Sequence, residues 1–244
     1  MAWGDEGEAS VEALRSAARR VPGLRWAYRR LYNLSLRLKS QEEVFTHIYR
    51  NNKWFGTDSV SGIGSDAVQT RVIVEQLPAL FRELGIRSIL DVPCGDFFWM
   101  GKVDLEGIDY IGGDIVQDIA DRNNRMHGRP GVTFRKFDLT ADRLPEVDLV
   151  LVRDCLVHLQ YADISRALAG IRQSGSRYLL ATTFPGRTNR DIPTGRWRPL
   201  DLQATPFHFP PPLRLINEGC TEAGGQFEDK SLGLWRIEDL DARQ

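Results

Sequence analysis

Short apolar runs alternate with stretches of helical periodicity through the middle of the chain. Ile89, Leu90 and Val92 form a run typical of a strand buried on both faces, and Pro93-Cys94-Gly95-Asp96 stops it abruptly. Upstream, Val68, Val72, Ile73, Leu77, Leu80, Phe81 and Leu84 recur at helical spacing behind Ser65 and Asp66, a pair suited to capping, and end at Gly85. Downstream, residues 110–114, 132–137 and 147–152 read as strands, with a helix over 115–126 between the first two. Residues 163–173 read as a helix and 178–184 as a fifth strand. Residues 213–218 and 231–237 close the pattern with no clear helix between them, which predicts an antiparallel hairpin at a sheet edge. The alternation predicts an α/β fold with right-handed crossovers.

Two segments break the alternation. Residues 54–65 (Trp54-Phe55-Gly56-Thr57-Asp58-Ser59-Val60-Ser61-Gly62-Ile63-Gly64-Ser65) are dense in glycine and serine, which suits either a connector or a lid. Residues 185–212 carry repeated prolines together with Arg196, Trp197, Arg198, Phe207, His208 and Phe209; the aromatics argue for an ordered insertion. At the other end, residues 15–39 are basic with no acidic residue, and 41–53 read as a short helix. The expected organisation is an N-terminal helical extension over 1–53, then a domain over 54–244 with an insertion at 185–212.

Charge then narrows the partners. Lysine plus arginine number 32 against 33 acidic residues, so no global field advertises nucleic acid, and a small-molecule partner is expected. The basic 15–39 stretch is expected to dock on the domain or on a second copy, the latter giving a homodimer through the N-terminal helices; an anionic membrane surface or an acidic carrier protein, and then nucleic acid, are the alternatives. Three scattered cysteines, Cys94, Cys155 and Cys220, suit a reducing compartment, and no run is long enough to span a membrane, so a cytoplasmic protein is expected.

Candidate chemistry centres on acids at three predicted strand ends, Asp91, Asp114 and Asp138. A carboxylate after the second strand can accept both hydroxyls of a ribose, and one after the third can accept from an adenine amino group. The first turn lacks a dinucleotide fingerprint: Gly95 stands alone, with Pro93 and Phe97 where small residues belong, and the flanking carboxylates repel a pyrophosphate. An adenosyl ligand with a positive charge fits better, which points to S-adenosylmethionine.

The segments Asp91-Val92-Pro93-Cys94-Gly95-Asp96, Asp114, Asp138 and Arg153-Asp154-Cys155-Leu156-Val157-His158-Leu159 resemble motifs of class I S-adenosylmethionine-dependent methyltransferases. The resemblance extends over about residues 41–237 to a bacterial methyltransferase-like group sharing Asn-Asn-Lys-Trp, Trp-Arg-Pro-Leu and Leu-Gly-Leu-Trp segments. It implies a Rossmann-like, mostly parallel seven-stranded sheet with an antiparallel last strand. It also implies a cofactor lined by Asp91, Gly95, Asp114 and Asp138. Pro93, Cys94, Asp96, Ile115, Leu139 and Arg153, their neighbours at the same strand ends, are the further expected contacts.

Methyl transfer needs alignment above all, and a base where the acceptor is a hydroxyl or a protonated amine. His158, assisted by Asp154, is the predicted base; a buried histidine bonded to a nearby carbonyl is the competing reading. Trp54, Trp197, Arg198, His208 and Glu218 are the expected acceptor contacts, for the oxygen of a saccharide or secondary metabolite. No metal is expected, since the cysteines lack paired knuckles, although Asp154 with Glu218 could serve a hard cation. An RNA or protein methyltransferase, or a silent cofactor-binding module, are the alternatives.

Overall fold

The structure is a computed structural model, and it describes residues 22–241. What was expected of residues 1–21 lies outside them. The described residues form two compact units that part between Ser40 and Gln41. The first contains helix α1 (Pro22–Arg37), which starts on a proline whose fixed φ and missing N–H suit a first turn. It leaves Trp26, Leu31, Leu34 and Leu38 exposed.

The second unit opens with α2 (Gln41–Arg50), whose Val44 and Ile48 are buried, so this helix belongs to the main unit. Helix α3 (Ala67–Leu84) follows and ends on Gly85 in the left-handed region, where its N–H and that of Ile86 bond back to the last turn. Its start differs from the expected cap. Asp66 occupies the cap position but turns its carboxylate back to accept from Thr57, Asp58 and Ser59, and Asp58 Oδ2 accepts from Ala67 N at 3.1 Å instead.

The strands are β1 (Ser88–Asp91), β2 (Asp109–Asp114), β3 (Val132–Lys136), β4 (Leu149–Val152), β5 (Tyr178–Thr183), β6 (Arg214–Asn217) and β7 (Ser231–Arg236). They form one sheet in the order β3-β2-β1-β4-β5-β7-β6. The first five pair in parallel, whereas β7 runs antiparallel to both β5 and β6, so the expected closing hairpin is present. Helices α4 (Gln117–His127) and α5 (Tyr161–Gln173) cross between strands.

Alternation along the central strands fills two cores. Leu90, Val150, Val152, Leu179 and Ala181 face one side with Ile164, Ala167, Leu168 and Ile171 of α5. Ile89, Leu149, Leu151 and Leu180 face the other with Ile73, Leu77, Leu80 and Phe81 of α3. In β7 the indole of Trp235 lies over Gly233, where a Cβ would stand 2.1 Å from the ring, and its Nε1 donates to Pro210 O at 2.8 Å. That bond ties the 185–212 insertion to the sheet; the insertion has no regular structure yet buries Leu200, Leu202 and Phe209. Among the described residues no helix is long and apolar enough to cross a membrane.

Candidate active site

The strand order reverses between β1 and β4, and the crevice there opens at the carboxyl ends of the strands, where open α/β sheets bind ligands. A cavity of about 350 Å³ occupies it.

The turn after β1 forms one side. Pro93, Cys94 and Gly95 line the cavity, and Gly95 adopts φ +52°. A Cβ there would stand 2.1 Å from Ser61 Oγ, so glycine is required both by conformation and by the loop packed on it. Asp96 was expected at the ligand, but it faces that loop: it accepts from Ser59 Oγ (2.8 Å) and Val60 N (2.9 Å), while its own N–H donates to Ser61 Oγ (3.0 Å). Asn123 on α4, which sequence reasoning missed, donates to Gly95 O at 2.7 Å from a buried position. A buried amide on a helix facing a ligand turn was the available signal.

The three strand-end acids have different fates. Asp114 lines the cavity, with Oδ1 accepting from Val116 N (2.9 Å) and Oδ2 from Gly95 N (3.3 Å). Each oxygen keeps a lone pair for a ligand hydroxyl. Burial raises its pKa to about 6. Asp138 also lines the cavity, but its Oδ1 accepts from Thr140 N and Oγ1, holding the turn after β3. Asp91 does not line it. It lies beneath the turn, accepts from Tyr110 Oη at 2.6 Å, and leaves Oδ1 buried without a partner among the described residues; burial raises its pKa to about 7. Ile115 and Leu139 line the cavity as expected and supply apolar surface beside Asp114 and Asp138.

The loop after β4 carries the densest electrostatics. Arg153 is buried and lines the cavity, donating to Glu218 (2.6 and 3.2 Å) and to Gly64 O (2.7 Å). Glu218 was expected at the acceptor; it is 1% exposed and lies behind Arg153 as its partner. Asp154, at φ +52°, accepts from Lys230 Nζ at 2.5 Å, and the Lys230 and Arg153 charges hold its pKa down against burial. Lys230, buried and cavity-lining, was missed because its pairing spans 76 residues of sequence.

Asp154 therefore does not orient His158. The imidazole Nδ1 lies 2.9 Å from Arg196 O; a carbonyl only accepts, so Nδ1 carries the proton and Nε2 presents a lone pair. Among the described residues nothing hydrogen-bonds Nε2. Burial lowers the pKa to about 4, which keeps the ring neutral. Trp54 packs against it with centroids 5.0 Å apart and ring planes tilted by 34°, and both line the cavity.

Of the other expected acceptor residues, Trp197 lines the cavity. Arg198 and His208 do not. Arg198 is fully buried and donates to Leu156 O and Leu159 O at 2.8 Å each, locking the His158 turn onto the insertion. His208 is exposed on the insertion. Phe45, Phe184 and Phe227 complete an aromatic lining that sequence reasoning did not assemble. Among the described residues no group of three or more His, Cys, Asp or Glu side chains could hold a metal ion.

No family model and no curated protein matches the chain. Solved structures do. The Burkholderia thailandensis 1,6-didemethyltoxoflavin-N1-methyltransferase, with bound 1,6-didemethyltoxoflavin and S-adenosylhomocysteine, superposes with a TM-score of 0.58 at 17% identity, over 80% of this chain and 86% of that one. Human N-acetylserotonin methyltransferase, in complex with S-adenosylmethionine, gives 0.56 at 15% identity over 81% of this chain. The chain spans 60% of the length of that human enzyme. The fold is thus the Rossmann-like fold of these methyltransferases, at an identity that speaks for fold alone.

Proposed function

We propose that the chain is an S-adenosylmethionine-dependent methyltransferase acting on a hydroxyl oxygen of a small molecule, such as a saccharide or a secondary metabolite. The observation that carries this reading is Asp114, a buried carboxylate anchored by two backbone N–H groups at the switch-point edge of the sheet, with lone pairs left toward the cavity. The cofactor-bound fold neighbours support it.

The residues fit such a cofactor. Asp114 would accept from the ribose, Ile115 and Leu139 would flank the adenine, and Asp138 would accept from its amino group. Asp91, buried beneath the turn with its pKa raised to about 7 and Oδ1 unpartnered among the described residues, would ionise more readily with a cation bound above it. Bound there, S-adenosylmethionine would supply a methyl group made transferable by its sulfonium charge. The chain's own part is alignment and proton removal: His158 Nε2 takes the acceptor's hydroxyl proton, Arg196 O fixes the tautomer and Trp54 holds the ring plane.

Calorimetry with S-adenosylmethionine, followed by transfer from the methyl-labelled compound into a small-molecule extract, tests this reading. We expect binding and a labelled product, with His158→Ala cutting turnover roughly 100-fold while cofactor affinity holds. Absence of cofactor binding by the wild-type protein would sink it.

A further inference from the structure

We propose that the acceptor is a flat aromatic hydroxy compound, a phenol or hydroxylated heteroaromatic, whose ring packs on the Phe184–Trp197–Phe227 aromatic cluster and whose hydroxyl meets His158 Nε2. This deepens the methyltransferase reading and rests on it.

Two aromatic groups line the cavity beyond the cofactor residues. In one, Trp197 and Phe227 stand 4.7 Å apart, with Phe184 at 6.0 and 6.3 Å from them; in the other, Trp54 lies between Phe45 (6.2 Å) and His158 (5.0 Å). They meet where Gly195 N donates to His158 O and Arg196 O accepts from the imidazole, so Trp197 follows directly on the backbone that fixes the base. The ring surface and the base are thereby held in one short stretch. Trp197 remains 38% exposed, so part of its surface is available to a partner ring.

Polar capacity decides between an aromatic and a saccharide. Of the polar side chains lining the cavity near these rings besides His158, Lys230 bonds Asp154, Arg153 bonds Glu218 and Gly64 O, and Gln41 bonds Thr140, which leaves Tyr49 and Glu222, the latter meeting only Cys220 Sγ at 3.7 Å, as the groups with capacity to spare. A sugar would bring several hydroxyls into this lining, and each one left unpaired weakens binding. A planar ring with a single hydroxyl meets one acceptor and several aromatic faces. Acidity agrees: a neutral imidazole with its pKa lowered to about 4 is a weak base. A phenolic proton, with a pKa of about 10, passes to it more readily than an aliphatic hydroxyl proton, whose pKa is closer to the roughly 16 of water. In the step itself the O–H bond breaks with its electron pair left on oxygen, and the proton moves to Nε2, giving an imidazolium that the negative charge of Asp154 favours.

The test titrates 2-naphthol and methyl β-glucoside into protein saturated with S-adenosylhomocysteine, read by tryptophan fluorescence and calorimetry. We expect 2-naphthol to bind and the glucoside not to. Trp197→Ala should weaken 2-naphthol about tenfold, with Trp197→Phe restoring most of it and cofactor affinity holding. His158→Gln should erase the preference for 2-naphthol over its methyl ether. Glucoside binding without naphthol binding, or naphthol affinity indifferent to Trp197→Ala, overturns the proposal while the methyltransferase reading stands. If the cofactor fails to bind but 2-naphthol still depends on Trp197, the methyltransferase reading falls and the aromatic site survives.

Discussion

The two halves of the cavity are built differently. The half proposed for the cofactor comes from residues at or just beyond the ends of β1, β2 and β3, where parallel register brings Gly95, Asp114 and Asp138 to one edge. The half proposed for the acceptor draws on α2, the 54–65 loop, the β4 loop, the insertion and Phe227, joined by contacts that no local pattern encodes. A sheet edge places chemistry by counting residues, whereas a loop-built wall places it by long-range packing.

The sharpest way to break the first half is Gly95→Val. The branched side chain must adopt positive φ and displace Ser61 from the turn, so cofactor affinity should fall by more than about 100-fold, roughly 3 kcal/mol. Circular dichroism should show a folded protein, because the rest of the sheet is untouched; wild-type affinity in that variant would break the account of the turn. The second half should break through stability instead. Arg198→Met leaves the buried carbonyl of Leu159 without its Arg198 donor and that of Leu156 with only Leu159 N, and we expect a loss of about 3 kcal/mol in denaturant unfolding, with His158 chemistry failing alongside.

The same contrast explains what the sequence could reveal. Strand runs and caps gave the α/β class because burial on both faces leaves an unbroken apolar signature. Asp114 could be placed at the sheet edge from its strand, yet the position of Asp91 could not be read without register: Asp91 pairs with Gly112, two residues short of Asp114, so it sits one pleat below the edge and turns to Tyr110. Arg153 with Glu218 and Asp154 with Lys230 are pairings across 65 and 76 residues, invisible to spacing rules. The proximity of Asp154 and His158 in sequence was misleading for the same reason, since the positive φ of Asp154 carries its side chain toward Lys230.

A smaller effect sharpens the cofactor half. Asp114 has its pKa raised to about 6 in the free protein, and a bound ribose and sulfonium favour the ionised carboxylate. Ligand binding should therefore release a proton near pH 6, and affinity should weaken as pH falls through that value, about tenfold per unit once the group is protonated. Asp114→Asn should flatten this slope; a slope unchanged in the variant would assign the titration elsewhere. Stability carries the opposite sense for this residue. Its folded pKa lies above its unfolded value of 3.8, so the folded state holds the extra proton, and its contribution is lost as pH rises from about 4 through 6.

The smallest expected effect separates loop composition from loop geometry. His208 and Trp197 share one insertion and both looked suited to an acceptor, yet only Trp197 reaches the cavity. His208 is exposed, with φ +51°, and its backbone N–H donates to Ala204 O. His208→Asn keeps a residue that tolerates the left-handed region, so neither fold nor turnover has reason to change. We expect kcat and KM within about twofold of wild type, the range of a surface substitution. A larger change would mean that the insertion reaches the acceptor through a surface the cavity does not include, and the division of the site into a register-built half and a packing-built half would have to be redrawn.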